Sequence, residues 1–92
     1  MKTIREIRLE MLIQTARENV ANSENAILKI YDSFVEGRTP ANKAKKEYRK
    51  LLPAFLTDLN RYNYLRLSLR PDTNVSNEDP EFWGNYYNGI FA

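Results

Sequence analysis

The sequence predicts an all-α protein in which two long helices form an antiparallel hairpin and a short aromatic helix follows them. Three observations indicate this. Apolar residues recur at seven-residue intervals through two long stretches, as in amphipathic helices. A short connection at 37–39 separates the two stretches. After a polar linker, aromatic residues recur at i and i+4. We expect helices at about 4–36 and 40–69, and a third helix after Asp79.

The first helix is expected to begin at Ile4. Thr3-Ile4-Arg5-Glu6 has the spacing of a capping box, in which the threonine hydroxyl accepts from the backbone amide three residues later. No glycine or proline occurs between Ile4 and Glu36, and the apolar residues keep the same helical spacing throughout. The stripe consists of Leu9, Ile13, Ala16, Val20, Ile27, Ile30 and Phe34.

A break in this first stretch is the alternative. Asn22, Ser23 and Asn25 prefer caps and turns to helix interiors, so the stretch would then contain two helices. The continuous apolar phase favours a single helix, about 50 Å long at 1.5 Å per residue.

Particular residues also predict the connection between the two long helices and the start of the second helix. Gly37 can adopt the left-handed conformation that ends a helix, Thr39 can cap the next one, and Pro40 suits a first helical position. Pro53 lies inside the second helix and is expected to kink it, because proline removes one backbone hydrogen bond. The apolar stripe continues across it, through Tyr48, Leu51, Leu52, Phe55, Leu56, Leu59 and Tyr62.

A polar linker, 70–78, leads to the third helix. Asp79-Pro80-Glu81 combines a cap, a first-position proline and an acid near the positive helix end. A small hairpin that turns at Asn88-Gly89 is the alternative. The helix contains four poor helix formers, Gly84, Asn85, Asn88 and Gly89, so it should need a surface to dock on.

The 92 residues form a single domain, 1–92, made of the hairpin at 1–71 and an acidic aromatic tail at 72–92. A chain this short buries a small core. A two-helix hairpin has one face open, and the tail, a second copy of the chain, or both would cover it. A homodimer is therefore one expected assembly.

Composition excludes most catalytic chemistry. The chain has no cysteine and no histidine, so the usual zinc, iron and copper sites and the usual histidine-dependent triads are absent. The glycines are isolated, and no phosphate-binding loop is present. We therefore expect no enzyme activity, no metal, no cofactor and no small-molecule substrate.

The amino terminus is basic, like the start of a signal peptide, but Glu6 and Glu10 interrupt the apolar stretch that export requires. No run of about 18 apolar residues exists, so no membrane span is predicted. We expect a cytoplasmic protein.

Charge is distributed unevenly along the chain, although the net charge is only +2. Residues 1–37 carry a net −1, residues 38–71 a net +7 and residues 72–92 a net −4. The middle of the chain is basic and the tail is acidic.

The aromatic tail is the first candidate site. Its rings either complete the core or form a binding face for another protein, since tryptophan and tyrosine are enriched at such faces. The predicted protein-binding residues are Phe82, Trp83, Tyr86, Tyr87 and Phe91.

The basic second helix is the second candidate. Cations near a helix amino terminus oppose the helix dipole, so Asp32 and Glu36 at the end of the first helix are expected to pair with them. Unpaired cations would instead suit phosphates, with Tyr62 and Tyr64 available for stacking on bases. The predicted nucleic-acid-binding residues are Lys43, Lys46, Arg49, Lys50 and Arg61.

These features predict a non-catalytic protein-binding module that acts as an adaptor or inhibitor by occluding a surface on a larger partner. The alternative is a nucleic-acid-binding helical protein that uses the second helix. A third hypothesis combines the two, with the acidic tail covering the basic helix until a partner displaces it.

Overall fold

A computed structural model describes all 92 residues and contains three α-helices, α1 (Ile4–Val35), α2 (Ala41–Leu69) and α3 (Pro80–Ile90). A short 3-10 helix, Ser76–Glu78, precedes α3. The all-α prediction is confirmed. The molecule is a rod of 54 × 19 × 17 Å, because α1 and α2 lie side by side along most of their length. None of the helices combines the length and the apolar character needed to cross a bilayer.

The first helix is continuous, so the alternative of a break near Asn22 is wrong. The hydroxyl of Thr3 accepts from the amide of Glu6, as the capping box predicts. Within the suspected break, Ser23 donates its hydroxyl to the carboxylate of Asp58 on α2. This bond gives a polar side chain in mid-helix a partner, and Ile27 continues the buried face one turn later.

Gly37 ends the first helix, as predicted, with a φ of 78°. The backbone amides of Arg38 and Thr39 both donate to the carbonyl oxygen of Ser33, which closes the connection tightly. The cap of α2 differs by one residue from the prediction, since Pro40 takes the cap position. The reason is that the hydroxyl of Thr39 lies 2.7 Å from the hydroxyl of Ser33 and forms a hydrogen bond with it.

The second helix passes through Pro53 without interruption. Pro53 is exposed, while Leu52 and Phe55 on either side of it are buried in the same core. The prediction that the apolar stripe continues past the proline is therefore confirmed. The kink expected at Pro53 stays a prediction.

The third helix is confirmed, and the alternative hairpin at Asn88-Gly89 is wrong. The carboxylate of Asp79 accepts from the amide of Glu81, and Pro80 is the first helical residue. The helix runs antiparallel to α2, because its early residues lie beside the middle of α2 and its last residues lie beside the start of α2.

The main core lies near the connection, where α3 joins the hairpin. It consists of eight buried side chains, namely Ile27, Ala44, Tyr48, Leu52, Phe55, Leu59, Tyr87 and Phe91. The tail therefore supplies part of the cover that the hairpin needs.

Candidate functional site

The position of α3 divides the five predicted protein-binding aromatics into two groups. Tyr87 and Phe91 are each only 1% exposed. Phe91 stacks on Tyr48 of α2, with ring centroids 4.1 Å apart, and presents its ring to the edge of Tyr31 of α1 at 5.7 Å. Because it touches both long helices, Phe91 is a core residue in this structure.

Tyr87 is the second core aromatic. Its ring meets the ring of Phe55 edge to face, with centroids 5.5 Å apart. Burial of the hydroxyl, followed by the negative charge of Glu24 on α1, raises the pKa of Tyr87 far above the ordinary tyrosine value. The hydroxyl therefore stays protonated at alkaline pH values at which a solvated tyrosine ionises, which suits a packed interior.

The other three aromatics form a surface that we call the aromatic patch, Phe82, Trp83 and Tyr86. Phe82 is 55% exposed and Tyr86 is 46% exposed. Trp83 is half-buried, and its indole N–H donates to the carbonyl oxygen of Asn77 at 2.8 Å. Its ring centroid lies 5.3 Å from those of both neighbours, in edge-to-face contact. The three rings thus hold each other in one arrangement.

Close packing of α3 on α2 explains why the patch faces outward. Gly84 is buried and faces Leu56, where a Cβ atom would lie 3.5 Å from a methyl carbon, an ordinary van der Waals distance. One turn later, the side chain of Asn88 accepts a 2.9 Å hydrogen bond from the hydroxyl of Tyr48. The glycine and the asparagine are contacts to α2, which leaves Phe82 and Tyr86 on the solvent side.

The burial of Gly84 against α2 was not predicted from the sequence, in which the residue stands out only as a poor helix former. The available signal was spacing. Gly84, Tyr87 and Phe91 follow one another at i, i+3 and i+7, which places them on one helix face. A small residue in line with two large apolar ones is typical of a close helix contact.

The second candidate site is the outer face of α2, which we call the basic stripe. All five of its cations are exposed, and none has a carboxylate oxygen within 4 Å. The predicted pairing with Asp32 and Glu36 is wrong, because Glu36 binds Arg38 in the connection and Asp32 forms no ion pair. The stripe consists of Lys43, Lys46, Arg49, Lys50 and Arg61.

The acidic tail does not cover the basic stripe either. The one ion pair of the tail joins Glu78 to Arg66, 3.4 Å apart, near the end of α2. The backbone carbonyl oxygen of Glu78 also accepts from the side-chain amide of Asn63. Both contacts fasten the linker to the last turns of α2, whereas most of the stripe lies in its first turns.

The two tyrosines expected to stack on bases differ in exposure. Tyr62 is half-buried, and the guanidinium of Arg66 lies over its ring, 4.8 Å from the centroid. Tyr64 is 70% exposed. Only Tyr64 has a free ring face on this part of α2.

The structure groups no three acidic side chains in a way that could hold a metal ion. The two surfaces that it does assemble are an ordered apolar patch on α3 and an unpaired cationic stripe on α2. Both are suited to contact with macromolecules.

Comparison of the chain with protein-family models, curated proteins and solved structures finds no match.

Proposed function

We propose that the protein is a non-catalytic protein-binding module that occludes a surface on a larger partner, with the aromatic patch as its principal contact. One observation carries this proposal, the exposure of two large rings beside Trp83 on a helix that the core holds in place.

Two properties of the aromatic patch favour binding to a partner, its exposed apolar area and its order. Burial of these exposed rings against a partner stabilises the complex by roughly 25 cal/mol per Å² of apolar area removed from water. The patch is already ordered, because the rings of Phe82 and Tyr86 both touch Trp83 and the tryptophan is fastened to Asn77. Binding therefore loses little side-chain entropy, a property of interface hot spots.

The test compares three proteins, the wild type, a Phe82→Ala/Tyr86→Ala variant and an Ile4→Ala/Met11→Ala control. The control removes two apolar side chains that are at least as exposed, from the start of α1. Partners are identified by covalent crosslinking from position 86, and each purified partner is then titrated by calorimetry. We expect the patch variant to weaken binding at least about 30-fold, which corresponds to about 2 kcal/mol.

Circular dichroism checks that both variants keep the wild-type helix content. Equal affinity of all three proteins for the crosslinked partner would contradict the proposal. A loss that is the same for the patch variant and the control would contradict it too, since it would show a general dependence on exposed apolar area.

A further inference from the structure

The basic stripe is a continuous surface on one side of α2. Lys43, Lys46 and Lys50 follow one another at helical spacing, and Arg61 continues the same side three turns further on. The distance from Lys43 to Arg61 along the axis is about 27 Å at 1.5 Å per residue.

Between the lysines and Arg61 the exposed residues of α2 carry no charge, and the half-buried Asp58 is bonded to Ser23 of α1. Pro53, Ala54 and Thr57 are exposed there, and all three side chains are short. No acidic residue occurs in the first turn of α2. An extended anion can therefore lie along the helix without meeting a bulky side chain.

The stripe carries electrostatic repulsion that no ion pair of this chain relieves, since Glu47, the one acidic residue among its lysines, is half-buried and forms no ion pair. Lys46 and Lys50 are like charges at i and i+4, a destabilising arrangement in a helix. Lys43, in the first turn, also opposes the positive end of the helix dipole. Because no carboxylate lies within 4 Å of any of these lysines, a polyanion bound from outside would supply the missing compensation.

We infer that the basic stripe binds the phosphate backbone of double-stranded DNA without reading its bases. This goes beyond the proposed protein binding and uses a different surface. Duplex DNA presents one charge per about 1.7 Å of its axis on a stiff rod, and the stripe is itself a stiff row of charges nearly as long as one helical turn.

The small number of exposed aromatic rings near the stripe favours a duplex over a single strand as its ligand. Proteins that bind single strands combine a basic groove with several aromatic rings on which successive bases stack. Here Tyr64 alone is freely exposed near the stripe, since Arg66 covers the ring of Tyr62. Charge without stacking favours the duplex.

The test is fluorescence anisotropy with a labelled duplex of about 20 base pairs and random sequence, titrated at about 50 and 200 mM salt. With four or five phosphates neutralised, the affinity should fall about 150- to 500-fold between these two salt concentrations. The corresponding single strand should bind more weakly than the duplex at each salt concentration.

Two triple variants separate the stripe from net charge. Lys46→Gln/Lys50→Gln/Arg61→Gln removes three stripe cations, and Arg8→Gln/Arg17→Gln/Lys29→Gln removes three exposed cations from α1. We expect the stripe variant to lower the slope of log affinity against log salt by about 2.7, and the control to leave it nearly unchanged. The Phe82→Ala/Tyr86→Ala variant should bind the duplex as the wild type does, so failure of the protein-binding proposal would be seen separately.

Three results would overturn the inference. One is an equal loss of affinity in the two triple variants, which would assign the effect to net charge. Another is tighter binding of the single strand than of the duplex. The third is equal displacement of the duplex by polyglutamate of matched charge, which would assign the stripe to an acidic protein surface.

Discussion

The two ends of the hairpin differ in how many helices meet there. At the closed end, near the connection, α3 lies against both long helices and Phe91 touches Tyr31, Phe34 and Tyr48. At the open end α3 is absent, and Ile4 and Met11 of α1 are 71% and 67% exposed. Similar apolar side chains are thus buried at one end and solvated at the other.

The register of the hairpin explains the open end. Ser23 of α1 lies opposite Asp58 of α2. Continued in the antiparallel sense, this register places Leu12 level with Leu69, the last residue of α2. The first two turns of α1 therefore extend past the end of α2, so Ile4 and Ile7 have no α2 residue opposite them.

The largest expected effect lies at the closed end. Phe91→Ala removes a ring that is 1% exposed and in contact with both long helices, so it should lower the free energy of unfolding by about 3–5 kcal/mol. Urea unfolding followed by circular dichroism measures this. Met11→Ala is the matched substitution at the open end and should cost far less. A loss below about 1 kcal/mol for Phe91→Ala would show that α3 does not close the core.

An intermediate effect concerns Tyr87 and alkaline pH. In the unfolded chain this hydroxyl ionises at its ordinary pKa of about 10, whereas in the folded protein burial and the charge of Glu24 raise the pKa well above that value. Its contribution to stability is therefore complete below about pH 10 and is lost as the pH rises further, by up to about 1.4 kcal/mol per pH unit.

Urea midpoints measured between pH 8 and pH 11 test this contribution. Tyr87→Phe keeps the ring and removes the ionisable group, so its stability should fall less over the same range. Parallel curves for the two proteins would show that the hydroxyl of Tyr87 is accessible to water in the folded state.

The smallest expected effect lies at the open end. Ile4→Ser/Met11→Ser exchanges two exposed apolar side chains for hydroxyls and should change the free energy of unfolding by no more than about 0.5 kcal/mol per site. Thermal unfolding at several protein concentrations measures this. A large loss that grows with protein concentration would instead show that these side chains are buried in an assembly of several copies.

Much of the fold follows from local signals. The capping threonine at position 3, the glycine at 37 and the Asp79-Pro80 start of α3 are found where the sequence indicates them. The one-residue difference at the start of α2 arises because Thr39 bonds across the connection to Ser33. A hydroxyl can form hydrogen bonds of similar strength with several partners, and the local sequence pattern does not show which partner it takes in the folded protein.

The candidate sites were less predictable. The five tail aromatics form two rows in the sequence, and periodicity does not show which row faces the core. The choice depends on contacts between distant residues, such as Phe91 with Tyr48 and Tyr87 with Phe55. The expected pairing of Asp32 and Glu36 with the basic stripe failed for a similar reason, since Arg38 in the connection lies nearer to Glu36.

Sequence alone predicted the limits of the two long helices to within a residue, the start of α3, the left-handed glycine and the residues of each apolar stripe. It left open a break near Asn22 and a hairpin at Asn88-Gly89. The predicted features depend on hydrogen bonds and side-chain periodicity within a few residues of each other. Tertiary structure alone decided that Tyr87 and Phe91 are core, that Phe82 and Tyr86 are surface, and that no cation of the basic stripe forms an ion pair. Periodicity orients a face about its own helix axis, whereas burial and charge pairing depend on which other helix lies against that face.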